Sequence, residues 1–429
     1  MDSWKSWGIC MSKKKTMVLQ ECFSLRARIG WQGLRADEFL DYGPYLVTGT
    51  DFVNGKVNWD TCYHVTEERF NQDTGIQLHE HDLLVTKDGT IGKTAIVQNC
   101  PEEATLNSGV FVVRAINKSV VPAYLYYVLS SRDFELFLAN TLTGSTIKHL
   151  NQEHFYKFKF DAPEDTKEQE KIAELLSTID MAIDETRQLI VKYKNIKNGL
   201  LHSLLCGSAS NDAHRQHTQW GHIPKSWTVK KIGDFAVKVG SGATPKGGES
   251  VYLKEGILFL RSQNVTHDGL ALDDVAFISP VIHKQMKRSQ VLSGDVLLNI
   301  TGASIGRCVV YTLDQEANVN QHVCIIRLAE ENALMGRYLY RWLTSEYGQS
   351  QIKRLMGGSN REGLSFAQIR EIQVPFIQDD QEILKVLEPL DAIDEKILSE
   401  QCYFEKLIHI REGLMQDLLS QKVSVEPIM

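Results

Sequence analysis

Two loops of the chain combine glycine, small hydroxyl side chains and a cation, a composition that suits contact with phosphate groups. The first, TKDGTIGK, runs from Thr86 to Lys93, and the second, NITGASIGR, runs from Asn299 to Arg307. Glycine allows backbone N–H groups to approach an anion closely, and the terminal Lys or Arg adds positive charge. Glycine at a positive φ would equally serve a tight turn between strands. The candidate phosphate ligands are Lys87, Thr90, Lys93, Ser304 and Arg307.

Other polar clusters contain side chains that hydrogen-bond base edges or the sugar–phosphate backbone. Arg pairs with guanine, and Asn or Gln with adenine, through two hydrogen bonds each. Three segments contain such side chains: Arg261, Ser262, Gln263 and Asn264; Ser241, Thr244 and Lys246; and Thr48, Thr50, Asp51 and Asn54. The alternative is that these short polar runs are only surface loops. Two short segments either contact the nucleic-acid backbone or merely turn the chain: Gly144, Ser145 and Lys148, and Gly358, Ser359, Asn360 and Arg361.

The sequence predicts no catalytic site. It contains no Asn-Pro-Pro-Tyr-like tetrapeptide of an amino methyltransferase and no glycine-rich S-adenosylmethionine loop after a strand. Asp165 and Lys167 have the spacing of part of a nuclease site, but they stand at a predicted helix start, where acidic residues favour the helix dipole. The cysteines form no CxxC pair and no zinc-spaced cluster with histidine. We therefore expect no catalytic residue, no metal and no cofactor in this chain.

The net charge of −7 is unfavourable for binding phosphates, so its distribution along the chain matters. Residues 377–429 carry 5 Lys and Arg against 12 Asp and Glu, whereas residues 211–376 carry 19 against 15. A phosphate-binding face needs local rather than global positive charge. No run of about 18 apolar residues is present, which predicts no membrane span. The first residues lack the apolar stretch of a signal peptide, so we expect a cytoplasmic protein.

The sequence repeats itself with a period of about 210–214 residues. DLLVTKDGTIGK (82–93) returns as DVLLNITGASIGR (295–307), and NSGVFVVR (107–114) returns as NQHVCIIR (320–327). YLYYVLSS (124–131) returns as YLYRWLTS (338–345), and NGLLHSLL (198–205) returns as EGLMQDLL (412–419). Two copies are too few for a solenoid, so the repeat indicates a pseudo-twofold molecule.

Each copy ends in a segment with heptad spacing, which predicts a long helix. Apolar or aromatic residues occupy eight of ten positions in each of two series: 172, 176, 179, 183, 186, 190, 193, 197, 200 and 204, and 386, 390, 393, 397, 400, 404, 407, 411, 414 and 418. Such spacing favours two helices packed along one another. We expect Pro389 in the first turn of the second helix, or at a kink just before it. A helix of roughly 30–35 residues spans about 45–55 Å, more than one DNA turn of about 34–36 Å.

These motifs, in this order, resemble the specificity subunits of type I restriction–modification systems. The resemblance covers nearly the whole chain and includes IGWQGL (29–34), YLVTGTDFVNG (45–55), GHIPKSW (221–227) and LRSQNV (260–265). It implies two target-recognition domains, each of which reads one half of an asymmetric, interrupted DNA site. It also implies that the helices set the gap and dock two methyltransferase subunits, which carry S-adenosylmethionine. Restriction subunits with ATP and Mg would join that complex.

The expected fold class is α+β, with two globular domains separated by two long antiparallel helices. The expected boundaries are a first recognition domain at 1–163, a spacer helix at 164–207, a second domain at 208–377, a distal helix at 378–421 and a tail at 422–429. The expected function is recognition of double-stranded DNA without catalysis. The alternative is a coiled-coil adaptor that binds proteins and no DNA.

Overall fold

The structure is a computed structural model and describes residues 13–29, 33–141, 149–205, 215–267, 269–329, 333–357 and 363–423. These residues form two compact units, neither of which is continuous in sequence. The first unit takes its residues from 1–188 and 401–429, and the second from 189–400. Each unit therefore includes one end of each long helix.

The first unit contains eleven strands and most of six helices within the described residues. The strands are β1 (Lys14–Val18), β2 (Phe23–Arg26), β3 (Leu40–Val47), β4 (Phe52–Val53), β5 (Lys56–Val57), β6 (Tyr63–His64), β7 (Leu83–Thr86), β8 (Thr94–Ile96), β9 (Ala104–Leu106), β10 (Val110–Ala115) and β11 (Lys159–Pro163). The helices are α1 (Leu19–Cys22), α2 (Glu67–Asn71), α3 (Pro122–Leu129), α4 (Arg132–Thr141), α5 (Gln152–Tyr156) and the long α6 (Thr166–Leu205).

The second unit contains twelve strands and most of six further helices within the described residues. The strands are β12 (Arg215–Thr218), β13 (Gly221–Pro224), β14 (Thr228–Lys231), β15 (Ala236–Ser241), β16 (Ile257–Leu260), β17 (Ala276–Ile278), β18 (Gln290–Val291), β19 (Val296–Asn299), β20 (Cys308–Val310), β21 (Ala317–Val319), β22 (Val323–Leu328) and β23 (Gln373–Phe376). The helices are α7 (Ile232–Phe235), α8 (Pro280–Gln285), α9 (Ala333–Thr344), α10 (Glu346–Met356), α11 (Phe366–Arg370) and the long α12 (Asp380–Leu419).

The same strand arrangement occurs in both units. The order β2–β10–β7–β8 of the first unit returns as β15–β22–β19–β20 in the second. A second sheet in each unit contains a parallel pair, β3 with β9 and β16 with β21. Each unit also contains an antiparallel pair of strands that are far apart in the sequence: β1 pairs with β11 in the first unit, and β14 pairs with β23 in the second. The predicted internal repeat and the α+β class are therefore confirmed.

A buried ion pair supports the central strands of each unit at the same place in the repeat. Nε of Arg114 on β10 donates to Asp82 at 2.8 Å, and Nε of Arg327 on β22 donates to Asp295 at 2.7 Å. The two aspartates are only 8% and 1% exposed. A two-pronged, charge-assisted contact of this kind fixes geometry as well as adding energy. It holds the start of β7 and of β19 against the neighbouring strand.

The heptad positions of both long helices face inward, as predicted. All twenty positions named above are buried or half-buried. In the first unit, Asp180 accepts a hydrogen bond from Arg411, and Arg187, seven residues on, lies 5.4 Å from the ring centre of Phe404, seven residues back. The two helical segments of that unit therefore run antiparallel.

Pro389 is not in the first turn of its helix, so that prediction was wrong. Helix α12 begins at Asp380 and continues through the proline. The turns before Pro389 bury Ile383, Val386 and Leu387 in the core of the second unit, which favours an earlier helix start. Pro389 itself is exposed. Proline has no backbone N–H, so one carbonyl in the preceding turn lacks its hydrogen bond within the helix. Because this side of the helix is exposed, water can donate a hydrogen bond to that carbonyl instead.

Candidate nucleic-acid interface

Parallel strands bring the polar loops of the first unit together. Because β3 and β9 run parallel, with Val47 beside Leu106, the loops that follow them leave the sheet at one edge. The N–H of Asn107 donates to the carbonyl of Val47 at 2.9 Å. Thr48 and Thr50 thus lie beside the loop that begins at Asn107.

The glycine loop 86–93 joins the same edge. A Cβ atom at Gly49 would lie 2.7 Å from Cγ2 of Thr86, so only glycine allows this approach. Nζ of Lys93 lies 3.5 Å from the carbonyl of Gly49. Thr90 and Lys93 are exposed. The structure therefore brings Thr50, Thr90 and Lys93 into one accessible region, while Thr48 is half-buried there.

Thr48 and Asp51 also hold the loop in shape. The carboxylate of Asp51 is 2% exposed and accepts hydrogen bonds from the N–H and the hydroxyl of Thr48, both at 2.8 Å. This capping arrangement closes the 3-10 turn Gly49–Asp51. Asp51 is therefore occupied within the domain, whereas the hydroxyl of Thr50 stays at the surface.

Two further candidate residues of the first unit, Asn54 and Lys87, take part in local structure. Asn54, at φ 51°, forms with Gly55 the two-residue turn between β4 and β5. Lys87 has a side chain only 13% exposed, and its Nζ pairs with Asp88 at 2.9 Å. Burial alone would raise the pKa of the Asp88 carboxyl, but hydrogen bonds from Lys87 and His149 outweigh it and lower that pKa.

The second unit gathers its loops by the same geometry. The N–H of Asn320, after β21, donates to the carbonyl of Leu260 at the end of β16 at 3.0 Å. Nδ2 of Asn299 donates to the carbonyl of Ser262 at 2.8 Å. The hydroxyl of Thr301 bonds Nδ1 of His322 at 2.6 Å. Loops 261–264, 299–307 and 320–322 therefore meet.

The glycine-rich loop after β15 reaches the same place. A Cβ atom at Gly242 would lie 1.7 Å from the carbonyl oxygen of Val319, so the close approach requires glycine. The hydroxyl of Thr244 bonds the amide of Gln321. Ser241 is half-buried and Lys246 is exposed. Gln321 and His322 were missed from the sequence, although their place directly after a repeated strand could have identified them.

Within RSQN, the four side chains have different environments. Asn264 is 2% exposed; its Oδ1 accepts from the N–H of Arg261 and its Nδ2 donates to the carbonyl of Ala271. Gln263 is exposed and donates to Asp274 at 2.7 Å, and Arg261 donates to the Asp274 carbonyl at 2.9 Å. Ser262 is half-buried. Asn264 thus holds the turn, and the others border it.

Arg307 and Ser304 close this cluster. Ser304 lies in the 3-10 turn Gly302–Ser304, and its hydroxyl is 3.5 Å from the carbonyl of Thr301. The half-buried guanidinium of Arg307 has no hydrogen bond or ion pair with any residue that the structure describes. The predictions for Gly144, Ser145, Lys148, Gly358, Ser359, Asn360 and Arg361 lie outside the described residues.

Neither a metal cluster nor a membrane helix is found in the part of the chain that the structure describes. No three His, Cys, Asp or Glu side chains in that part form a group that could hold a metal ion. None of its helices combines the length and the apolar character that a membrane crossing requires.

The comparison with protein families matches both halves of the chain. The model of the type I restriction modification DNA specificity domain fits residues 13–193 and again residues 224–400. The chain belongs to this family. The resemblance of the sequence to specificity subunits is thereby confirmed, and each match covers one loop cluster together with helical residues.

Two specificity subunits are similar in sequence to this chain, and one solved structure is similar in fold. The chain is 24% identical over 341 residues to the type I restriction enzyme EcoBI specificity subunit of Escherichia coli. This match covers 75% of this chain and 69% of the relative. It is 24% identical over 351 residues to the MjaIX specificity subunit of Methanocaldococcus jannaschii, covering 81% and 78%. Its fold resembles that of the type I restriction–modification S subunit from M. genitalium, with a TM-score of 0.59, 16% identity and coverage of 95% and 96%.

Proposed function

We propose that this chain is the DNA-recognition subunit of a type I restriction–modification complex and that it carries no catalytic residue itself. The observation that carries the proposal is the loop cluster that each unit assembles at the ends of a parallel strand pair. Each cluster joins a cation to hydroxyl side chains, and a family match covers each. Two similar clusters in one chain suit a DNA site made of two different halves.

The proposed DNA contacts are the side chains that remain accessible in these clusters. Lys and Arg would contact phosphates and fix the register, whereas Arg, Gln and hydroxyl groups would read base edges. Asn264 and Lys87 are assigned to loop structure instead, because both side chains are largely buried as well as bonded within the domain. The proposed set is Thr48, Thr50, Thr90 and Lys93 in the first unit and Ser241, Thr244, Lys246, Arg261, Ser262, Gln263, Ser304 and Arg307 in the second.

The long helices are proposed to set the gap between the half-sites and to dock two methyltransferase subunits. Ile196 on α6 and Ile410 on α12 occupy the same place in the repeat and are 40% and 39% exposed. Met181, Val191, Leu398 and Tyr403 add further exposed apolar surface. Exposed apolar residues on both helices, with isoleucine at one repeated position, suit two copies of one partner.

The chemistry is assigned to the partner subunits. Methyltransferase subunits would supply S-adenosylmethionine and modify adenines flipped from the duplex, and restriction subunits would supply ATP and Mg. The chain would then act in the cytoplasm, where the genomic DNA lies. Its own task is the choice of sequence.

A selection experiment tests the proposal. The chain, bound to its methyltransferase, is offered random-sequence duplexes, and the retained DNA is sequenced. We expect two short fixed elements separated by a gap of constant length, with no enrichment by the methyltransferase alone. An intact complex that retains no sequence would indicate a protein adaptor, and one continuous element would contradict two reading domains. Replacing the region before Pro163 with that of a relative should change only one element.

A further inference from the structure

One carboxylate in the first unit connects three elements. Asp180 lies on α6, and its Oδ2 accepts a hydrogen bond from the hydroxyl of Tyr127 on α3 at 2.9 Å. Its Oδ1 accepts from Nε of Arg411 on α12 at 2.5 Å. Asp180 therefore bonds both the recognition domain and the second helix.

The second unit has the same arrangement at the equivalent place in the repeat. Asp394 lies on α12, and its Oδ2 accepts from Nη1 of Arg341 on α9 at 2.5 Å. Its Oδ1 pairs with Nζ of Lys197 on α6 at 2.6 Å. Arg341, 6% exposed, also donates to Asp391 at 2.8 Å. The domain helix and the opposite long helix again meet at one aspartate.

The bonding partners differ between the units, but the connection is the same. Tyr127 and Arg341 align in the repeated segments YLYYVLSS and YLYRWLTS, and Arg411 and Lys197 are the cations of the heptad series. Packing alone would be satisfied by apolar residues at these positions. A directional bond to a charged group adds a defined orientation to that packing.

We propose that Asp180 and Asp394 are positioning residues that fix the angle of each recognition domain on its helices, and thereby the gap length at which the two half-sites are read. This inference rests on the proposed function. The loops read the bases; the two aspartates determine where the loops stand along the DNA. Weakening the contacts of one of these aspartates should therefore lower the preference for one gap length without changing which bases are preferred.

The test measures methylation by the full complex on three duplexes with the selected half-sites and a gap that is cognate, one base pair shorter or one base pair longer. The deciding variants are Tyr127→Phe and Arg341→Met. Tyr127→Phe removes only one hydroxyl and keeps Asp180 paired with Arg411. Arg341→Met leaves Asp394 paired with Lys197 and Asp391 paired with Arg337. Losing a hydrogen bond to a charged group should lower the preference for the cognate gap by about tenfold. Glu412→Gln is the matched control, because Glu412 is exposed and lies 3.7 Å from His409 on its own helix.

The outcomes separate the two proposals. A lower gap preference in Tyr127→Phe, with unchanged preference for the bases of each half-site, supports the inference. An equal loss of methylation on all three duplexes would show a merely structural effect and overturn the inference. An unchanged gap preference in the variant, when the wild type does prefer the cognate gap, would also overturn it. A wild-type complex that recognises no interrupted site would overturn the proposed function as well.

Discussion

Removing the two loop cations, Lys93→Ala and Arg307→Ala, should weaken DNA binding in a salt-dependent way. Each lies in the glycine loop of its unit, and neither forms an ion pair with a residue that the structure describes. The substitutions should therefore leave the folding free energy nearly unchanged. Their effect should come from the loss of phosphate contacts alone.

The size of the effect follows from counterion release. Each phosphate contact contributes about 0.9 to the slope of log affinity against log salt. One lost contact should therefore lower the slope by about 0.9, and the double variant by about 1.8. Between about 50 and 200 mM salt, the disadvantage of each single variant should shrink roughly 3.5-fold.

The assay is fluorescence anisotropy of a labelled cognate duplex, titrated with the complex at several salt concentrations. Lys225→Ala is the matched control, since Lys225 is exposed and follows Pro224 at the end of β13, outside the loop cluster. An unchanged slope in both single variants, or an equal change in the control, would refute the assignment of these loops to phosphate contact.

Three further results are expected. Asp295→Ala should lower the unfolding free energy by roughly 2–4 kcal/mol, because it leaves Arg327 without its buried partner; urea unfolding followed by tryptophan fluorescence measures this, and a loss well under 1 kcal/mol would contradict it. The lowered pKa of Asp88 means that its stabilising contribution is present above its unfolded pKa and is lost as the pH falls through its folded value. The stability difference between wild type and Asp88→Asn should therefore shrink below about pH 4, and a difference that grew there would be the opposite of this account. Inserting four residues near Glu185 adds about 6 Å of helix and should lengthen the recognised gap or abolish methylation; sequencing of the methylated sites would expose an unchanged gap.

The long helices could be predicted from the sequence because their signal is periodic and local. Every heptad position proved buried or half-buried. The start of α12 was harder, because Pro389 is a strong local stop signal. Burial of Ile383 and Leu387 in the domain core outweighs that signal, and such long-range packing is not visible in a single sequence.

The candidate site was predictable in place but not in every residue. The repeat identified the loops, and the parallel strands explain why they meet. Side-chain composition could not separate Asn264, which caps a turn, from Gln263, which is exposed. The spacing of three residues between Thr48 and Asp51, typical of a capping box, was the available signal for that role.

The three-element contacts at Asp180 and Asp394 could not be predicted from composition. They join residues as far apart as Asp180 and Arg411, and the pairing register of two helices is not encoded by heptad spacing alone. One signal was present: Lys197 and Arg411 are cations within otherwise apolar series. A charged residue at such a position needs a partner, which the opposite helix supplies.

The most direct test of the central claim is single-molecule sequencing of genomic DNA from a host without its own modification enzymes. The host expresses this chain with its methyltransferase, beside a matched strain that expresses the methyltransferase alone. We expect methyladenine only at one asymmetric, interrupted sequence, and only when this chain is present. Methylation that is the same in both strains, or none at all although the two proteins co-purify, would contradict a role in choosing the DNA site.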